Sequence, residues 1–258
     1  MAPLRRCRSL SAEEFVYLRG RTARIPKVTL PSPGLFANFW SPERSRGAYA
    51  SLESFLEDVA RILREEVGEL AEYGASYIQL DAPHYPLLLE PKTRAFYEAQ
   101  GWSAREWLEL GVALDNRVMA GIDDVTFGLH LCRGNQASRW LVSGDYGPIA
   151  KPIFQRTAAH RLLLEYDDAR SGGFEPLQHV PDDKMVVLGL ITTKRGELED
   201  ADELVARIEE ASRYVDRERL ALSPQCGFGT SIIGNKLTQE QQAAKLRLVC
   251  DVAGKVWG

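Results

Sequence analysis

Apolar residues recur along the chain in two alternating rhythms. Short, nearly continuous runs of aliphatic and β-branched residues fall at 27–30, 76–81, 125–132, 160–166, 185–192 and 219–222. Runs of this length and composition predict strands covered on both faces. Longer stretches with helical periodicity separate them. At 52–73, Leu52, Phe55, Leu56, Val59, Ile62, Leu63, Val67 and Leu70 recur at steps of three and four with charges between, and Gly74 closes the segment. Residues 103–120 and 201–214 repeat the pattern, and 238–257 opens on Thr238 and Gln241 at capping-box spacing. Strand and helix in alternation predict a parallel sheet with crossover helices, an α/β fold. No internal repeat, low-complexity segment or linker divides the chain, so 1–258 reads as one domain, with 1–24 as an arm of unassigned structure.

Composition narrows the function classes. In 258 residues, 45% are hydrophobic and 26% charged, which fits a globular domain, and the formal net charge of −4 at pH 7 argues against the basic stripe of a nucleic-acid binder. No apolar run approaches the roughly 20 residues of a membrane helix. Arg5, Arg6 and Arg8 are followed by acidic and polar residues, not by the apolar core of a signal peptide. A cytoplasmic location is therefore expected. Four irregularly spaced cysteines, Cys7, Cys132, Cys226 and Cys250, do not read as a disulfide framework, which leaves metal binding, catalysis or packing.

Where the metal-capable residues fall is the most informative feature. Asp81, His130, Cys132, Glu165 and Cys226 all sit at or just beyond the carboxyl end of a predicted strand, the face on which α/β barrels assemble their active sites. His130 and Cys132 are two apart on one strand and so point the same way. One imidazole and two thiolates suit Zn²⁺, while the same cysteines could equally be small buried hydrophobes. Arg133 and Asn135 follow directly and are placed to meet a substrate carboxylate or sulfonate; Arg133 could instead pair with Asp167 or Asp168. Cys250 falls on the apolar face of the last helix and is expected in the core. His84 is a weak candidate acid or a loop-packing residue. Gly227-Phe-Gly229-Thr230 offers a tight turn or, less strongly, an anion-binding backbone.

The segments Tyr77-Ile-Gln-Leu-Asp81, His130-Leu-Cys132, Leu163-Leu-Glu165 and Ser223-Pro-Gln-Cys-Gly227, in this order, resemble the C-terminal catalytic domain of cobalamin-independent methionine synthase. The resemblance runs from about Lys27 to the C-terminus. It implies a TIM-type (β/α)8 barrel in which His130, Cys132 and Cys226 bind Zn²⁺ and Glu165 is a fourth ligand that an incoming thiol displaces. It also implies that Asp81 holds the amino group of a homocysteine-like thiol, and that Trp40 lies beside the flat ring of the donor, where a loop-anchoring aromatic is the alternative. The activity it implies is thiol S-methylation or S-alkylation, since a zinc-bound thiol is deprotonated at neutral pH.

This sequence departs from the family in two places. Asp81 is followed by Ala82-Pro83-His84-Tyr85, not by Glu-Pro, and the proton-donating histidine expected near Thr192-Thr193-Lys194 is absent. Both departures bear on the donor more than on the thiol. Epoxyalkane coenzyme M transferase-like proteins, which share the zinc motif, are the second family reading, and a cobalamin-borne methyl group delivered by a partner protein is a third donor. An incomplete barrel with a structural zinc site and no turnover is the reading from another class. Six strands correspond to the third to eighth of the barrel, so the first two units are expected to be missing. That would leave two sheet edges for Met1–Arg24 or an oligomeric neighbour to cover.

Overall fold

A computed structural model describes residues 2–99 and 101–258. All six expected strands form: β1 (Val28–Pro31), β2 (Tyr77–Asp81), β3 (Thr126–Leu131), β4 (Arg161–Glu165), β5 (Met185–Ile191) and β6 (Leu220–Pro224). They make one parallel sheet in the order β1-β2-β3-β4-β5-β6. Each strand therefore pairs with the next after a crossover, the wall of a (β/α) barrel with six of its eight strands. β1 and β6 each have one neighbour, and their outer edges stay open.

The helices are α1 (Ala12–Arg19), α2 (Pro42–Ser45), α3 (Leu52–Glu72), α4 (His84–Leu87), α5 (Pro91–Glu98), α6 (Ala104–Met119), α7 (Gly147–Phe154), α8 (Ala201–Ala211) and α9 (Gln239–Trp257). The periodic apolar positions of α3 are buried apart from the half-buried Ile62, and Gly74 takes the left-handed φ of +86° that turns the chain into β2. Ser51, Ser103 and Thr238 cap α3, α6 and α9 through boxes with Ser54, Glu106 and Gln241. Such caps satisfy backbone N–H groups that the first helical turn leaves without partners.

Two expectations change. The N-terminal arm is ordered: the buried Glu66 on α3 accepts from the backbone of Leu10 (2.8 Å) and Ser11 (2.7 Å) and pairs with Arg6 at 2.5 Å, which fastens the arm and α1 to the outside of the sheet layer. Cys250 is exposed, not in the core. The buried face of α9 is set by Lys245, Val252 and Val256, and at about 100° per residue Cys250 lies nearly opposite Val252. Lys245 is buried because Glu199, at 2.9 Å, and the Glu197 carbonyl receive its ammonium. No helix among the described residues is long and apolar enough to cross a membrane.

Candidate metal centre

Parallel pairing carries the strand ends to one face. Asp81 and His130 are register partners on β2 and β3, and Glu165 at the end of β4 lies opposite Gly189 on β5. Cys132 follows β3 directly. Cys226 follows β6 with φ +56°, a left-handed conformation unusual for a residue with a Cβ. That turn follows a register shift between β5 and β6 at Gly189/Ile191. A strained backbone at a chemically capable side chain is a common mark of a functional site.

His130, Cys132 and Cys226 converge, with their ligand atoms all within 4.8 Å of one another. The Cys226 Sγ lies 3.5 Å from His130 Nε2. Bonds of about 2.0 Å to nitrogen and 2.3 Å to sulfur at a tetrahedral angle put two such ligands roughly 3.5 Å apart. The trio thus has both the donor types and the spacing of a metal site with room for a further ligand. Its electrostatics are those of an ion cluster. The hydrogen bond from Cys226, assisted by His130 and resisted by burial, holds the Cys132 thiol well below the ordinary thiol range; the same bond and burial push Cys226 up. Burial disfavours the His130 cation, but Cys132 outweighs it, with Asp81 and Glu165 adding, and raises the imidazole to about 9.

Glu165 stands beside the trio and not in it. Its Oε2 accepts from the Arg133 N–H at 2.6 Å and from Gln225 Nε2 at 2.7 Å. Its Oε1 meets Arg170 and, at 3.4 Å, Lys194. Asp167 shares both cations, with Arg170 at 2.8 Å and Lys194 at 3.1 Å. The carboxylate expected as a fourth ligand is thus held by this buried network. Lys194 occupies the region where a histidine was expected, and its ammonium is committed to Glu165, Asp167 and, at 2.7 Å, the side-chain oxygen Oε1 of Gln225.

Arg133 is the clearest correction. Its guanidinium is buried, donates to the carbonyls of Gly144, Glu165 and Ser171, and lies 4.1 Å above the Tyr146 ring. With its donors spent on the backbone, it is not disposed to meet a substrate anion. Nor does it pair with Asp167 or Asp168; Arg170 does. Asn135 changes role as well. Its Nδ2 donates to Thr193 Oγ1 at 2.9 Å, and because the Thr193 hydroxyl spends its single proton on the Gln225 carbonyl at 2.7 Å, the amide orientation is fixed. Among the described residues Asn135 Oδ1 is left buried without a partner, an acceptor suited to an ammonium or hydroxyl, not to a carboxylate.

Asp81 lies at the mouth of the site, receiving Gln79 Nε2 at 2.6 Å. Burial pushes its carboxyl up against the pull of His130 and that hydrogen bond. Trp40 lines a cavity of about 880 Å³ with Phe36, Phe39, Tyr49 and Phe55, and its indole N–H has no acceptor among the described residues. His84 is buried away from solvent with neither ring nitrogen paired among the described residues, and burial lowers it to about 3; kept neutral, the ring is no general acid near neutral pH, which leaves loop packing. Thr230 donates to the Asn135 carbonyl, so the glycine-containing segment laces two loops together. Tyr146, Arg170, Asp167 and Gln225 were not singled out from the sequence. The acidic-basic run from Glu165 to Arg170 was a usable signal, and so was the residue before Cys226; Tyr146 carried none.

Residues 40–255 match the family described as cobalamin-independent synthase, catalytic domain. The chain belongs to that family. Among its relatives, the uncharacterized protein YxjG of Bacillus subtilis is 42% identical over 235 residues, covering 90% of this chain and 62% of its own length. The methionine synthase of Pyrococcus abyssi is 30% identical, covering 85% of this chain and 55% of that protein. A B12-independent methionine synthase from Shewanella superposes with a TM-score of 0.77 at 23% identity, over 99% of this chain and 69% of that one. The putative vitamin-B12 independent methionine synthase of Listeria monocytogenes gives 0.71 at 28% identity, over all of this chain and 71% of that one. This member of the cobalamin-independent synthase family thus spans a little over half the length of the curated relatives it matches, and its open six-stranded sheet corresponds to part of their barrels.

Proposed function

We propose that this family member binds Zn²⁺ through His130, Cys132 and Cys226 and transfers a methyl or alkyl group to a homocysteine-like thiol. The observation that carries the reading is the convergence of one imidazole and two thiols from two strands, at metal-ligand spacing, on the carboxyl face of the sheet. Bound zinc supplies a thiol held as its thiolate at neutral pH. This chain's own residues bind and orient. Asp81 receives the amino group of the thiol substrate, and Asn135 Oδ1 offers a second acceptor. The cavity beside Trp40 admits a flat or apolar donor. The buried ion network around Glu165 keeps the site ordered and excludes water.

The acceptors Asp81 and Asn135 Oδ1 favour an amino-acid thiol, whose ammonium they can receive, over a sulfonate thiol, which has no ammonium to offer. Family membership supports a methyl donor before an epoxide; the trio is common to both readings. A neighbouring copy over the open edges of β1 and β6 completes the proposal, with small molecules as the other partners and the cytoplasm as the site of action. Metal analysis of protein purified without added zinc is expected to find about one Zn per chain. Thiol consumption is then followed with homocysteine and coenzyme M against methyl donors and small epoxides. A chain that holds zinc but turns over no pair favours the structural-site reading. Sedimentation that finds only monomer removes the copy.

A further inference from the structure

Gln225 stands between the last strand and the Cys226 ligand position, 1% exposed. Its backbone is clamped on both sides: its N–H donates to the Ile191 carbonyl at 2.7 Å, and its carbonyl accepts from the Thr193 hydroxyl at 2.7 Å. Its side chain makes three contacts to three different charge-bearing groups. Nε2 donates to Glu165 Oε2 at 2.7 Å and to Cys226 Sγ at 2.8 Å, and Oε1 accepts from Lys194 Nζ at 2.7 Å. Turned over, the amide would set its oxygen against a carboxylate and a sulfur and its NH2 against an ammonium, so the neighbours dictate the orientation. One amide therefore ties together a candidate ligand, the carboxylate beside it and the buried lysine that holds that carboxylate.

We propose that Gln225 is the positioning residue of the site: its amide aims the Cys226 sulfur and, with Lys194, holds Glu165 off the trio so that the fourth position stays open to the substrate thiol. This rests on the metal reading above. Gln225 holds one Glu165 oxygen, and Lys194 and Arg170 the other, so a move toward the trio works against these contacts. Hydrogen bonds from such outer groups orient ligands and tune how strongly a sulfur donates.

Metal-stripped full chain titrated with Co²⁺ tests this, because the cobalt–thiolate charge-transfer band reads the sulfur and its response to added homocysteine reads the open position. In Gln225→Leu the N–H donor to sulfur is gone. The band should move to lower energy, cobalt affinity should fall about 10- to 100-fold, and homocysteine should bind at least several-fold more weakly as Glu165 closes on the metal. Gln225→Glu, which keeps the shape but loses the donors, should act in the same direction, and so should Lys194→Met on the homocysteine response. Adding Glu165→Gln to Gln225→Leu should restore much of the homocysteine response without restoring the band, a pattern that mere loosening would not give. A wild-type chain that takes up no cobalt overturns the metal reading and this inference with it. Cobalt binding by wild type, with band and homocysteine affinity unchanged in folded Gln225→Leu and Gln225→Glu, overturns the inference alone. A homocysteine response that the double variant fails to recover overturns the role assigned to Glu165.

Discussion

Acidification should unfold this protein partly through one residue remote from the candidate metal centre. His84 begins α4 with both ring nitrogens buried and unpaired, 4.0 Å from the Tyr85 ring. Burial lowers its pKa from 6.5 to about 3, so between those values the unfolded chain binds a proton that the folded one refuses. Stability from this group is fully present above pH 6.5 and is lost as pH falls toward 3. Linkage gives a slope of about 1.4 kcal/mol per pH unit inside the window, hence a loss of roughly 2 kcal/mol between pH 8 and pH 5. Urea unfolding followed by circular dichroism, for wild type and His84→Leu across that range, isolates the contribution, because other titrations cancel in the difference. The gap between the two proteins should shift by about 2 kcal/mol in favour of the variant at pH 5. A gap that stays constant from pH 8 to pH 5 would refute the assignment and mean that the ring is hydrated or already charged.

Asp115 titrates in the opposite sense. Burial raises it to about 6 against hydrogen bonds from Ser32 and Tyr85, so its stabilisation is present below about 3.8 and is lost as pH rises through 6; Asp115→Asn should unfold with a flatter profile over pH 4–7 than wild type. Gly34→Ala would set a Cβ 2.4 Å from His84 Nε2, and such overpacking should cost about 1–3 kcal/mol by denaturant midpoint. Lys245→Met leaves the largely buried Glu199 without its cation, and the loss should reach roughly 3 kcal/mol, read from the same unfolding curves. Cys132→Ser should lose bound metal by elemental analysis while Cys250→Ser, on the exposed side of α9, keeps it; equal loss in both would count against the trio.

The six strands were legible because strands buried on both faces spell themselves as apolar runs, and the convergence of the candidate trio because strand ends in a parallel sheet share a face. Arg133 and Cys250 were misread for a common reason. Sequence gives a residue's place along an element but not what the rest of the molecule offers it. Arg133 finds the Gly144 and Ser171 carbonyls at its own depth. Likewise, α9 rotates to bury a lysine because Glu199 waits beneath it. Gln225 stands in plain view inside the Ser223–Gly227 segment, but its role depends on Glu165 and Lys194, 60 and 31 positions away, and no periodicity records such a meeting.

Three strand spacings separate β3 from β6, about 14 Å if the sheet lay flat. The His130, Cys132 and Cys226 ligand atoms are nevertheless within 4.8 Å. The sheet is therefore bent like a bow, open on the side where β1 and β6 lack partners, and an ion gripped by both limbs would act as the string. Its removal should let the arc relax and bring hydrogen exchange to β6 sooner than to β4, so the proposed ion would also hold the curvature that brings its own ligands together.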